Sequence, residues 1–303
     1  MDRREFLKRT AVLGLGGAAL LLPGSVRRAF GAREGLPGLA AVRGGEPGEM
    51  FDRGVAALGG MERFVKKGQT VVIKPNMSWD VPPERGGNTN PELVERIVRR
   101  CLEAGATKVY AFDHTCDLWR SSYRNSGVED AVKRGGGVAA PADASGYFQK
   151  VSLPGGRALK ETAVHELMLE CDVFINIPVL KHHGGAGITM GMKNLMGTVW
   201  NRGEFHSKGL HQCIADVSLF RRPALTVIDA YRMMTRNGPR GTSEGDVTVL
   251  KAQILSTDIV AGDAAAARIF GADPKSVPYI RSAAEMGVGT MDLESLGVER
   301  IAL

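Results

Sequence analysis

The run DVFINIPVLK (172–181) is apolar at almost every position, without the polar alternation of a half-solvated strand. A short strand of this kind is buried on both faces, which requires a parallel sheet covered by helices. The surrounding chain repeats the plan. TVVIKPN (70–76), KVYAFDH (108–114), ALTVIDA (224–230) and VTVLKAQILSTD (247–258) read as further strands. Between them, NPELVERIVRRCLEAGA (90–106) places Leu93, Ile97 and Cys101 at helical spacing. Thr89 or Asn90 is positioned to cap that helix, Pro91 suits its first turn and Gly105 ends it. GVEDAVKRGG, ALKETAVHELMLEC and IVAGDAAAARIFG are predicted helical, as are segments near 188–200 and 209–221. The fold class is α/β, a mostly parallel sheet with helices on both faces. Its domain is expected over 51–303, after a Gly-, Pro- and Ala-rich linker at 33–50.

Residues 1–32 carry a different message. DRREFLK precedes a short, glycine-broken apolar run and the small-residue sequence RRAFGA, the pattern of a twin-arginine export signal. The expected location is therefore periplasmic, with the twin-arginine translocase as a partner and membrane contact only through an uncleaved signal. Arg3, Arg4, Lys8, Arg9, Arg27 and Arg28 against Asp2 and Glu5 account for most of the formal +6. The nearly neutral body lacks the clustered basic charge of a nucleic-acid surface. None of Cys101, Cys116, Cys171 and Cys213 forms a C-x-x-C pair, so no cysteine-ligated iron–sulfur cluster is expected.

The strands end in polar residues: Lys74 and Asn76, Asp113 and His114, Lys181 to His183, Asp229, and Asp258. Asn176 lies within its strand. Ligands bind at the carboxyl ends of parallel strands, so these groups mark a candidate site. Gly184, Gly185 and Gly187 would let the backbone turn tightly. A helix starting near Ile188 would then aim free N–H groups at the strand ends, where carboxylate or phosphate is favoured. Lys193 and Asn194 flank that helix's apolar stripe. His182 and His183, adjacent in an extended chain, point to opposite sides. His165 reads as structural, and the spacing of His206 and His211 is not a zinc pairing.

These motifs (IKPNM, TNPELV, DVFINIPVLKHH, TMGMKNLMG, VIDA, NGPRG and STDIVAGDAAAARIFGADP) resemble, in order, the family called domain of unknown function 362. By matching motif, the family's polar positions fall on Lys74, Asn76, Lys181, His182 or His183, Lys193, Asn194, His206, Asp229 and Asp258. The resemblance implies a fold and a motif set rather than a reaction. A similarity of plan to lactate racemase does not extend to its nickel chemistry. As inferred roles, Lys74, Lys181 and Lys193 hold an anion, and Asn76, Asn176 and Asn194 orient it. Lys181, His183 and His206 are the catalytic candidates, a histidine titrating near ~6.5 being suited to proton transfer. Asp229 and Asp258 either hold a divalent ion, the one cofactor the sequence suggests, or orient that histidine. The expected function is an exported enzyme acting on a small carboxylate or phosphate. The alternatives are a non-catalytic periplasmic anion- or metal-binding protein and an assembly factor for a respiratory enzyme.

Overall fold

The computed structural model describes residues 35–303, so the expected export signal lies outside the described residues. The main sheet is built from β1 (Leu39–Arg43), β2 (Thr70–Pro75), β3 (Lys108–Ala111), β4 (Val138–Ala139), β7 (Val173–Ile177), β10 (Leu225–Met234), β11 (Val247–Ser256) and β12 (Val298–Ala302). Across the sheet the order is β12-β1-β11-β10-β7-β2-β3-β4. From β10 through β7, β2 and β3 to β4 all neighbours are parallel. β11 runs antiparallel to both β10 and β1. A hairpin of β8 (Val179–His183) and β9 (Gly187–Thr189) joins the distal half of β10, with β8 parallel to it. β5 (Phe148–Ser152) and β6 (Glu161–His165) form a separate antiparallel ribbon.

Alternate residues of each central strand enter opposite cores. Val71, Ile73, Val173, Ile175, Leu225 and Val227 face one cluster, while Val72, Phe174 and Ile228 face the other. That is why these strands are apolar throughout: neither face meets water. The first core is covered by α1 (Pro47–Ala57), α2 (Pro91–Glu103), α3 (Trp119–Asn125) and α4 (Val128–Arg134), through Phe51, Ile97, Tyr123 and Val132. The second is covered by α5 (Leu167–Glu170), α6 (Gly191–Asn194), α7 (Gly203–Lys208), α8 (Leu210–Val217), α9 (Ile259–Phe270) and α10 (Pro278–Glu285), through Met168, Met192, Phe205, Ile214, Val260 and Ile280. Burying each such side chain stabilises the fold by about 1.5–3 kcal/mol. As the sequence predicts, Asn90 caps α2 by accepting the Glu92 N–H; Gly271 ends α9 in the left-handed conformation.

Three expectations are corrected. The linker placed at 33–50 contains β1, which sits between β12 and β11, and the start of α1. The segment ALKETAVHELMLEC is strand β6 followed by the single turn α5, because pairing with β5 overrides a modest helical pattern. The helix expected at 188–200 is β9, then α6 and a 3-10 turn over Leu195–Thr198. Among the described residues no helix is long and apolar enough to cross a membrane.

Candidate functional site

A cavity of about 410 Å³ opens at the carboxyl edge of β2, β3 and β8. β2 delivers Lys74 and, just past its end, Asn76; Asp113 follows β3; β8 delivers Lys181 and His183. The hairpin folds back so that α6 adds Lys193 and Asn194, and the following turn adds Gly197. Cys116, Arg202 and His206 complete the rim.

Lys74 is fixed and neutralised. Its Nζ lies 3.0 Å from Asp113 Oδ1, and it donates to Asn194 Oδ1 at 3.0 Å and to the Pro75 carbonyl at 2.6 Å. Burial lowers its pKa, and the charge of Asp113 opposes that shift. The other oxygen of Asp113 accepts from Met77 N and Ser78 Oγ. Asn194 donates to the Lys74 carbonyl and to Asn176 Oδ1, and Asn176 donates to the Gly191 carbonyl. This network packs against Gly197, where a Cβ would stand 1.9 Å from Asp113 Oδ1 and 2.6 Å from Lys74 Cε.

Lys181 and Lys193 have no such partner. The Lys181 ammonium is buried, donates to the Gly87 carbonyl and lies 5.7 Å from the centre of the Trp79 ring. Among the described residues no carboxylate pairs with it, and burial, with the nearby Lys193 and Lys74 charges, pulls its pKa down to about 7. Among the described residues the half-buried Lys193 makes no hydrogen bond or ion pair, and burial lowers it to about 8. Arg202 donates to the Thr115 carbonyl and to Cys116 Sγ. Thr189 Oγ1 and Asn76 Oδ1 are buried at this cavity without a hydrogen-bond partner among the described residues. His183 Nδ1 accepts the Gly185 and Ala186 N–H groups, each at 3.1 Å, which leaves the ring proton on Nε2. Burial and the neighbouring lysines depress its pKa to about 3, so the ring stays neutral.

Residues 71–268 match the model of Domain of unknown function (DUF362). The chain belongs to that family. It is also 27% identical to a thylakoid-associated protein of Synechocystis sp., over 76% of this chain and 72% of the relative. A solved lactate racemase apoprotein from Thermoanaerobacterium thermosaccharolyticum superposes with a TM-score of 0.44 at 14% identity, over 81% of this chain. The match spans 56% of that structure's length, and so slight a likeness says nothing about chemistry.

Within this DUF362 chain the polar positions divide. Lys74, Asn76, Lys181, His183, Lys193, Asn194 and His206 line the one cavity, His206 at its exposed rim. His182 points away, as strand alternation requires. Its Nδ1 accepts the Gly238 N–H, and the ring borders a different groove. Asn176 lies under the floor and orients Asn194 rather than lining the cavity.

The metal reading of Asp229 and Asp258 is corrected. Asp229 accepts the Asn90 and Tyr231 N–H groups inside the sheet, and burial raises its pKa to about 6. Asp258 caps α9 through the Val260 and Ala261 N–H groups. It follows the antiparallel β11 and so exits at the opposite sheet edge. Among the described residues no three His, Cys, Asp or Glu side chains group as a metal site.

The expected anion-binding helix tip is also occupied. Asp263 of α9 accepts the Gly191 and Met192 N–H groups that start α6. Cys116, Thr189 and Arg202 are cavity residues that the sequence does not mark as a site, and Asp113, marked only as a strand end, is given no role. Asp113 was visible as a strand end; Cys116 and Arg202 lie in irregular segments without a periodic signal.

Proposed function

We propose that the chain, after export to the periplasm, binds a small carboxylate or phosphate in this cavity and catalyses proton transfer on it. One observation carries the reading. Lys74, Lys181, Lys193 and Arg202 line the cavity, and its one acidic lining residue, Asp113, is paired with Lys74. Sheltered cations without counter-charge are costly, and an anion that neutralises them recovers that energy. Lys193 and Arg202 are placed to hold the anion, and the open Thr189 and Asn76 oxygens to accept its hydroxyl protons. Lys181 is the group that gains and loses a proton near neutrality. His183, held neutral, serves as an Nε2–H donor rather than as the base expected from sequence. His206 stands at the rim, in reach of solvent.

Calorimetric titration of oxalate and of inorganic phosphate into the full chain, recovered from the periplasmic fraction, tests the reading. Wild type binds. Lys193→Met weakens binding roughly 10–100-fold, the loss of about 1.5–3 kcal/mol from a charge-assisted hydrogen bond. Proton exchange at the α-carbon of small hydroxy acids, and at the carbon next to the carbonyl of small oxo acids, followed by NMR in D2O, reports turnover and disappears in Lys181→Met. Exchange-free binding leaves an anion-binding protein, absence of binding removes the proposal, and absence from the periplasm removes its export part.

A further inference from the structure

We propose that Lys181 is a nucleophilic amine that condenses with the carbonyl carbon of a small 2-oxo acid to form a Schiff base. The inference rests on the anion-binding reading above and names its substrate class. Three features of the cavity distinguish Lys181 from its neighbours. It is 1% exposed, yet it lines the cavity. Among the described residues it has no carboxylate partner, whereas Lys74, equally buried, is locked by Asp113, Asn194 and the Pro75 carbonyl. One of its N–H bonds is held by the Gly87 carbonyl, which fixes the nitrogen, and its other N–H bonds have no hydrogen-bond partner among the described residues.

A lysine attacks carbonyls only as the free amine, and enzymes obtain that form by desolvation and by placing other cations nearby. Both apply here: the amine is buried away from solvent, and the unpaired Lys193 supplies a repelling charge. Lys193 and Arg202 are the groups left to hold a carboxylate, and a carbonyl adjacent to that carboxylate defines a 2-oxo acid. The amine lone pair forms the C–N bond, and the carbonyl oxygen departs as water carrying both amine protons. The imine then takes one proton from solvent. The resulting iminium draws electrons from the neighbouring carbon and acidifies its C–H, the same proton chemistry proposed for the site.

Incubating the full chain with pyruvate or glyoxylate and sodium borohydride tests this directly. Intact mass shows one reduced oxo-acid adduct per chain, peptide mapping assigns it to Lys181, and excess oxalate suppresses it. Lys181→Met, similar in volume, loses the adduct while its thermal unfolding stays cooperative. An adduct confined to Lys193 or to surface lysines overturns the proposal, as does oxalate binding without any adduct. The second outcome leaves the anion site standing; failure to bind oxalate at all removes both. Should the Lys181 variant not fold, the wild-type peptide map still decides.

Discussion

The Lys74–Asp113 pair fills the space that a side chain at Gly197 would need, so this glycine is where the site tolerates least. Gly197→Ala forces its Cβ to within 1.9 Å of Asp113 Oδ1. Either the turn moves or the buried ion pair opens, and breaking such a pair costs about 3–5 kcal/mol. Urea denaturation should show a loss of about that size. Gly184→Ala is the contrast: a Cβ there finds only the Gly238 carbonyl, at 3.8 Å, and the change should stay within about 1 kcal/mol. Equal losses at the two positions would contradict this account. The sequence draws attention to Gly184, Gly185 and Gly187 because they cluster, but clustering marks only the β8–β9 turn. The constraint at Gly197 comes from side chains on β2 and after β3, more than eighty residues away (as at Lys74 and Asp113), and no local pattern reports it. Alternation, by contrast, is a local property, and it separates His183 from His182 correctly.

At the scale of elements, two aspartates on or beside α9 divide the work. Asp258 caps α9 and also accepts the Thr290 N–H, and a Cβ at Gly289 would meet its Oδ1 at 2.1 Å. Asp263, one turn along, caps α6, the helix that carries Lys193 and Asn194. Burial raises Asp263 to about 7, while the two N–H groups it accepts oppose the shift. Asp258→Ala therefore costs about 1–2 kcal/mol in chemical denaturation, the size of a lost cap, with oxalate affinity unchanged. Asp263→Asn retains one carbonyl acceptor but turns an amide N–H2 toward donors, so it loosens α6 and lowers oxalate affinity as well as stability. Reduced affinity in the Asp258 variant, or unaltered affinity in the Asp263 variant, would break this assignment. Sequence could not make the distinction. A strand's composition reads the same in either direction, so β11 gave no sign that it delivers Asp258 to the edge opposite β2 and β8. The short α6 was hidden for a related reason: its start is set by a carboxylate from another helix, not by a cap of its own.

For the whole molecule, alternating apolar strands and amphipathic helices made the layered sheet legible, since burial of both strand faces is written in every residue. The site followed to the extent that parallel strands share a carboxyl edge, which unites Lys74, Asp113, Lys181 and His183. What the gathering does to their charge is a property of the assembled protein, and pH exposes it. Between pH 7.5 and 8.5, His183 is neutral folded or unfolded and Asp263 is largely ionised in both states. The thiols of Cys101, Cys171 and Cys213, all raised by burial, keep protons that the unfolded chain starts to release toward pH 8.5, which offsets part of the lysine effect at the upper end of the window. In that window the unfolded chain holds a proton that folded Lys181, at about 7, has released, and increasingly one that Lys193, at about 8, releases. Stability therefore rises with pH, by up to about 1.4 kcal/mol per pH unit for each proton. Anion binding runs the other way, because it needs the ammonium forms that are being lost. Oxalate, whose charge is constant here, should raise the melting temperature most at pH 7.5 and less at 8.5, while the unliganded protein melts higher at 8.5. Lys181→Met should flatten the unliganded slope. If unliganded stability instead falls across this window, or the oxalate effect grows, then Lys181 and Lys193 keep ordinary pKa values and the cavity is not the crowded cation site described.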